Sequence, residues 1–163
     1  PRSTPKPSSA ASDVYKRQVV QRCSEAKVTV NNKIISQIKS GLMLLVGINK
    51  GDEFSDADKV VDKIINLRIF NDEKNKMNLS ILDINGSVMV VSQFTLCGDT
   101  RKGRRPSFIN AENPDKGLEI YDHMVNRLRD KGLNTVTGEF GAMMDIELVN
   151  EGPATFIINS KEL

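Results

Sequence analysis

Chemistry-bearing side chains collect in three short stretches of the 163-residue chain. The first, Ser92-Gln93-Phe94-Thr95, closes an apolar run and precedes a long polar connection. Strand ends that open into long loops are where sites are commonly built. Ser92 or Thr95 could attack a carbonyl, but a hydroxyl needs a base beside it. The one histidine, His123, sits in a helical pattern off its apolar stripe, which reads as a solvated surface residue and makes a triad improbable. The second stretch is Asn150-Glu151-Gly152-Pro153-Ala154-Thr155. Gly-Pro at a strand start ordinarily marks a turn; the functional reading is a rigid backbone feature, since X-Pro bonds alone take the cis form at low cost. The third is Arg101-Lys102-Gly103-Arg104-Arg105, four cations in five residues. Standing alone, such a run is usually a solvated face.

Charge bookkeeping gives that third stretch more weight. The chain carries 23 Lys+Arg against 21 Asp+Glu, a net of +2. Residues 1–16 hold three Pro and four Ser with Val14 as the only large aliphatic side chain. Such a segment cannot bury enough surface to offset its ordering entropy, so it reads as a disordered extension or artefact outside a single domain at 17–163. It contributes Arg2, Lys6 and Lys16 against Asp13. The excess charge is therefore its own, and the domain is neutral. Without the cluster at 101–105, the rest of the domain has four more acidic than basic residues. A local positive patch on an acidic body is a footprint for phosphates. No RNP motif, zinc knuckle or aromatic-interleaved basic stretch points to base reading.

Several classes of function are disfavoured. Two cysteines, Cys23 and Cys97, with one histidine fall short of the three or four clustered ligands most metal sites need. Gly98 and Gly103 lie in no strand–GxGxxG–helix context, so nucleotide-cofactor chemistry is not indicated. The expectation is an enzyme with no metal and no cofactor. No apolar run nears the ~18 residues of a membrane span. The lack of a secretory h-region and of paired extracellular-style cysteines points to a reducing, cytoplasmic setting.

The elements that must position these residues follow from patterning. Val19–Val30 and Lys33–Ile38 form a hairpin about Asn31-Asn32. Leu42–Ile48 is a continuous apolar run, a strand buried on both faces. Ser55 with Asp58 suggests a capping box, opening a helix with Ala57, Val60, Val61, Ile64 and Ile65 inward. Asn71–Asn78 reads as a polar loop. Asn85-Gly86 is a strong hairpin signal between Leu79–Ile84 and Ser87–Leu96. Asn113-Pro114 fits the N-cap and first position of a second helix, with Leu118, Tyr121, Val125 and Leu128 inward and Gly132 at its end. Leu133–Thr137, Met144–Leu148 and Ala154–Ile158 complete an α/β domain of seven or so mostly antiparallel strands and two helices.

In combination these features resemble the D-aminoacyl-tRNA deacylase family, once called D-Tyr-tRNA(Tyr) deacylases. The resemblance runs from about Arg17 to the C-terminus. Val19-Val20-Gln21-Arg22 with Ala26-Lys27-Val28 looks like the family's first strand. Ser92-Gln93-Phe94-Thr95 matches its SQFT signature, and Asn150-x-Gly152-Pro153-x-Thr155 its NxGPxT signature. Asp99–Gly103 and Arg105–Phe108 fit the segment between them, and Phe140-Gly141-Ala142 with Met144 its stretch for the terminal adenosine. One departure is Ala154, where valine is usual.

The resemblance implies a small ββα layered sandwich that forms a homodimer. It implies hydrolysis of the ester of D-aminoacyl-tRNA, and of glycine mischarged on tRNA-Ala, in translation quality control. Gly152-Pro153 would be a chirality filter, a cis peptide inserted from one subunit into the other's pocket and oriented by Arg22. Ser92, Gln93, Phe94, Thr95 and Thr155 would form the catalytic neighbourhood, Thr155 by shaping the pocket. Gln93, Phe94, Phe140, Gly141, Ala142 and Met144 would hold the terminal adenosine. Arg101, Lys102, Arg104 and Arg105 would contact tRNA phosphates near the 3′ end and acceptor stem. An aminoacyl ester is already activated, so positioning and oxyanion stabilisation suffice without a triad. A non-catalytic RNA- or DNA-binding module of the same fold is the alternative; a small-molecule esterase is disfavoured by the basic loop and the missing triad.

Overall fold

The computed structural model describes residues 17–163; the expectation for residues 1–16 lies outside that range. Strand β1 (Arg17–Val30) runs through Asn31 and Asn32, both at positive φ, into β2 (Lys33–Ile38), as the hairpin pattern predicts. Strand β3 (Gly41–Val46) follows, then helix α1 (Phe54–Asn66), a short pair β4 (Phe70–Asn71) and β5 (Met77–Leu79), and β6 (Ser87–Ser92). A 3₁₀ turn (Phe94–Cys97), helix α2 (Pro114–Asp130), β7 (Asn134–Thr137), β8 (Asp145–Asn159) and a final 3₁₀ turn (Ser160–Glu162) complete the chain.

The continuous apolar run of β3 explains the layering. Leu42, Leu44 and Val46 face the helices, where they join Val60, Val61, Ile64, Ile120, Met124 and Leu128 in one core. Met43 faces the other way, into a second core with Cys23, Ala26, Val28, Ile38, Met89 and Val91. A strand apolar on both faces therefore has sheet on one side and helices on the other.

Strand β1 links the two halves of one six-stranded sheet. Its first half pairs antiparallel with β3, its second half with β2, and β8 runs antiparallel along nearly its whole length. The pairings β3–β6 and β6–β7 are parallel, so the arrangement is mostly, not wholly, antiparallel. It is an α/β, ββα layered sandwich, as expected.

Several local expectations need correction. Asn85-Gly86 makes no hairpin, because β6 pairs with β3 and β7 and not with the segment before it. Instead Ser80 and Asp83 exchange bonds, with each backbone N–H donating to the other side chain, and Gly86 N donates to Ile81 O. These close residues 80–86 into turns. The segment 71–78 is not all loop, since β4 and β5 pair across it.

Helix α1 is capped by Glu53 with Asp56 at N3, a capping box two residues before the expected Ser55–Asp58. Asp58 instead accepts from His123 Nε2 at 2.8 Å and lies 3.2 Å from Arg127 Nε. His123 is thereby a half-buried tie between α2 and α1, with its ring against Phe54, not a solvated residue. Asn113 caps α2 through Lys116 N, with Pro114 first in the helix. Leu118 is exposed, and Ile120 and Met124 fill the buried face instead.

Candidate active site

Strand β6 buries Val88–Val91 between the two cores, then ends at Ser92, short of the expected Leu96. Gln93 N still donates to Val46 O at 2.8 Å, after which the backbone tightens into the 3₁₀ turn. The N–H groups of Phe94 and Thr95 open that turn, where no acceptor exists within the helix itself. Cys97 anchors the far end, its Sγ donating to Ile48 O.

A cleft of about 590 Å³ opens at this point. Ser92, Gln93, Phe94 and Thr95 form one wall; Phe140, Gly141, Ala142 and Met144 form another. The two segments lie nearly fifty residues apart in sequence and are brought together by the β6–β7 pairing. Every residue expected to hold the terminal adenosine lines this cleft. Phe140 is set against Tyr121, ring centroids 5.6 Å apart, and Tyr121 is fixed by its hydroxyl donating to Val90 O at 2.6 Å. Burial raises the Tyr121 pKa, so that hydroxyl keeps its proton.

Patterning missed the third wall, made by Ala111, Glu112, Asn113, Pro114 and Gly117 at the start of α2. The Asn113-Pro114 helix start was the only signal for it. Glu112 is the one charged side chain among the lining residues. Its carboxylate accepts from Asn113 N and lies 3.7 Å from Lys116 Nζ. His123 lines no part of the cleft.

Gly152 and Pro153 lie elsewhere, inside β8 and not at the start of a strand. Pairing with β1 jumps from Gln21↔Thr155 to Cys23↔Asn150, so residues 151–154 bulge out opposite Arg22. The Gly152–Pro153 peptide is cis. Arg22 is 5% exposed and holds the bulge from beneath. Its Nε donates to Glu151 O at 2.9 Å, and its Nη1 to Ile69 O at 2.8 Å and Asn71 Oδ1 at 3.3 Å. Sequence patterning contains nothing that marks Ile69 and Asn71 for this role.

Gly152 sits at φ +135°, and a Cβ there would lie 2.9 Å from Arg22 Nη2, so both conformation and space call for glycine. Asn150 closes the base of the bulge. Its Oδ1 accepts from Ala154 N and its Nδ2 donates to Thr155 Oγ1, both at 2.8 Å.

The bulge and the cleft are far apart within one chain. Ser92 aligns through Val46 and Gln18 with Ile158, whereas the bulge lies opposite Arg22. From Ser92, three strand spacings and four residues of rise put the separation on the order of 20 Å, and from Ile146, the lining residue on β8, four residues of rise to Asn150 put it at roughly 13 Å. Thr155 shares the bulge's location and lines no part of the cleft.

The basic loop is closed by mutual backbone bonds between Asp99 and Ser107, with Gly103 at positive φ near its tip. Arg101, Lys102, Arg104 and Arg105 are all exposed. Phe108, just past the loop, packs edge-on against Phe94 with centroids 5.0 Å apart. The loop is thereby attached to the cleft wall.

Residues 19–159 match the protein-family description D-Tyr-tRNA(Tyr) deacylase. The chain belongs to that family. A D-aminoacyl-tRNA deacylase from Geobacillus sp. (strain WCH70) is 56% identical over 146 residues, covering 90% of this chain and 96% of the relative. One from Thermotoga petrophila (strain ATCC BAA-488 / DSM 13995 / JCM 10881 / RKU-1) is 54% identical over 147 residues, 90% of this chain and 99% of the relative. Among solved structures, the c-Myc DNA unwinding element binding protein superposes with a TM-score of 0.83 at 35% identity, over 88% of this chain and 97% of that one. A structure described as a probable eukaryotic D-amino acid tRNA deacylase superposes at 0.76 with 19% identity, covering 88% and 98%, and bears on the fold alone. The ββα sandwich is thus the fold of deacylase-family relatives.

Proposed function

We propose that the protein hydrolyses the ester of D-aminoacyl-tRNA, and of glycine mischarged on tRNA-Ala, as a cytoplasmic homodimer acting in translation editing. One observation carries this reading: Ser92–Thr95 and Phe140–Met144 meet on one largely apolar cleft in a chain of the deacylase family. A cleft of this size and lining suits a stacked nucleoside with few polar contacts.

Gln93, Phe94, Phe140, Gly141, Ala142 and Met144 hold the terminal adenosine. The N–H groups of Phe94 and Thr95 face the developing oxyanion, and the activated ester needs little more than positioning. Gly152 and Pro153, fixed by Arg22, form the chirality filter. Their distance from the cleft of their own chain supports their serving the partner's. Thr155 shapes the bulge, because its hydroxyl is already engaged by Asn150. The loop from Arg101 to Arg105 lies along phosphates near the acceptor stem.

The test is release of D-Tyr, Gly and L-Tyr from charged tRNA. Rapid release of D-Tyr and Gly with L-Tyr retained is expected. Equal rates for the two enantiomers overturn the filter, and no release of any overturns the hydrolase. The alternative, a binding module without turnover, is supported by the name of the c-Myc DNA unwinding element binding protein; it predicts salt-sensitive nucleic-acid binding and no ester cleavage.

A further inference from the structure

The four cations of the basic loop are not equivalent. Arg101 grips Asp99 with two parallel bonds, Nε to Oδ1 at 2.9 Å and Nη2 to Oδ2 at 2.8 Å, and its own N–H donates to Oδ1 at 3.0 Å. Such a two-pronged pair has the geometry in which a surface ion pair holds a shape. Asp99 also anchors the loop's neck through its backbone bonds to Ser107. The Arg101 bonds hold the Asp99 carboxyl near a pKa of about 2, so the clasp stays charged at any ordinary pH.

Beyond the clasp, Lys102, Arg104 and Arg105 stand exposed on the seven-residue loop between Asp99 and Ser107. Resting on the tRNA reading above, we propose that Arg101 positions this loop as a finger through Asp99, and that Lys102, Arg104 and Arg105 alone contact the tRNA backbone. The finger spans roughly three successive phosphates of one strand. The contact is to phosphate and carries no base information.

The salt dependence of binding separates these roles, because each phosphate neutralised adds a fixed increment to the slope of log K against log salt. The probe is uncharged tRNA(Tyr) titrated at several salt concentrations against the full chain. Lys102→Ala, Arg104→Ala and Arg105→Ala should each reduce the slope by about 0.7–0.9. Arg101→Ala should weaken binding at every salt concentration yet keep the slope. Asp99→Asn, which retains an acceptor for Arg101 N but removes the charged two-pronged pair, should raise the slope by about one such increment.

A slope loss in Arg101→Ala equal to the other three overturns the division of roles, as does an unchanged slope in Asp99→Asn. No slope change in any variant overturns the finger itself. Turnover of D-Tyr-tRNA(Tyr) by the unsubstituted chain is measured alongside. Its absence, with the slopes as expected, sinks the hydrolase reading and leaves the finger standing.

Discussion

At the scale of single residues, Arg22 concentrates the most structural consequence. Its buried guanidinium satisfies two backbone carbonyls and one side-chain amide from segments that otherwise have no reason to meet. Arg22→Ala leaves the buried Ile69 carbonyl without its donor and empties the space beneath the bulge, so a loss of about 3 kcal/mol in urea unfolding is expected. Discrimination between D- and L-Tyr should collapse alongside it, while L-Tyr release rises. Thr155→Ala should behave differently. It removes one hydroxyl acceptor at the base of the bulge, worth about 1 kcal/mol, and should lower the rate of ester release severalfold at most. A fall to the uncatalysed rate with folding and tRNA binding intact would make Thr155 a nucleophile after all. Much at this scale was open to sequence reading, because Ser92, Gln93, Phe140 and Met144 belong to signatures a family resemblance can carry. What Arg22 touches was not, since Ile69 and Asn71 are ordinary residues whose role depends on where the β4 arm folds back.

Elements tell a second story, about local signals overruled by pairing. Asn85-Gly86 carries strong turn chemistry, and Asn85 does take positive φ, but β6 finds its partners in β3 and β7. The local preference survives and the pairing inferred from it does not. The apolar face of α1 and the cap of α2 were legible because both depend on nearby residues in sequence. The bulge in β8 was not, because it exists only as a mismatch of register against β1. The β3–β6 contact supplies a sharp test. A Cβ on Gly41 would lie 1.8 Å from Ser87 O, backbone against backbone. Gly41→Ala should therefore cost about 3 kcal/mol or more, read as a lowered urea midpoint, and should open the cleft wall because β6 ends in it. Gly51→Ala, at positive φ but with open space around it, is the milder control.

For the molecule as a whole, the proposed dimer makes a quantitative demand. If each cleft is completed by the partner's Gly152 and Pro153, a cleft variant such as Phe94→Ala and a bulge variant such as Gly152→Ala should complement when mixed. Random re-association places half of the dimers in the mixed form, each with one intact site, so about one quarter of wild-type sites should return. No recovery after confirmed exchange of subunits would rule out sharing between subunits. The two cysteines set an alkaline limit on the same scaffold. Burial, with Glu151 nearby for Cys23 and Asp52 for Cys97, raises both thiols to about 11. The unfolded chain releases those protons first, so their contribution is complete below pH ~9 and fades as pH rises toward 11. Urea midpoints taken across that window should fall, and Cys23→Ala should flatten part of the decline.

The shared strand β1 has a consequence for how the protein comes into being. The first described strand is completed only by the last one, since Arg17–Thr29 is zipped against Asn159–Asp145. The six-stranded sheet lacks its full complement of backbone partners until β8 has been synthesised. Contacts that span the entire chain make for slow closure, and an emerging chain must carry β1's open edge through most of its time on the ribosome. A truncation before Asp145 should therefore leave β1 without its longest pairing, read as a lowered urea midpoint. Completion of the sheet is thus a late step, governed by β8.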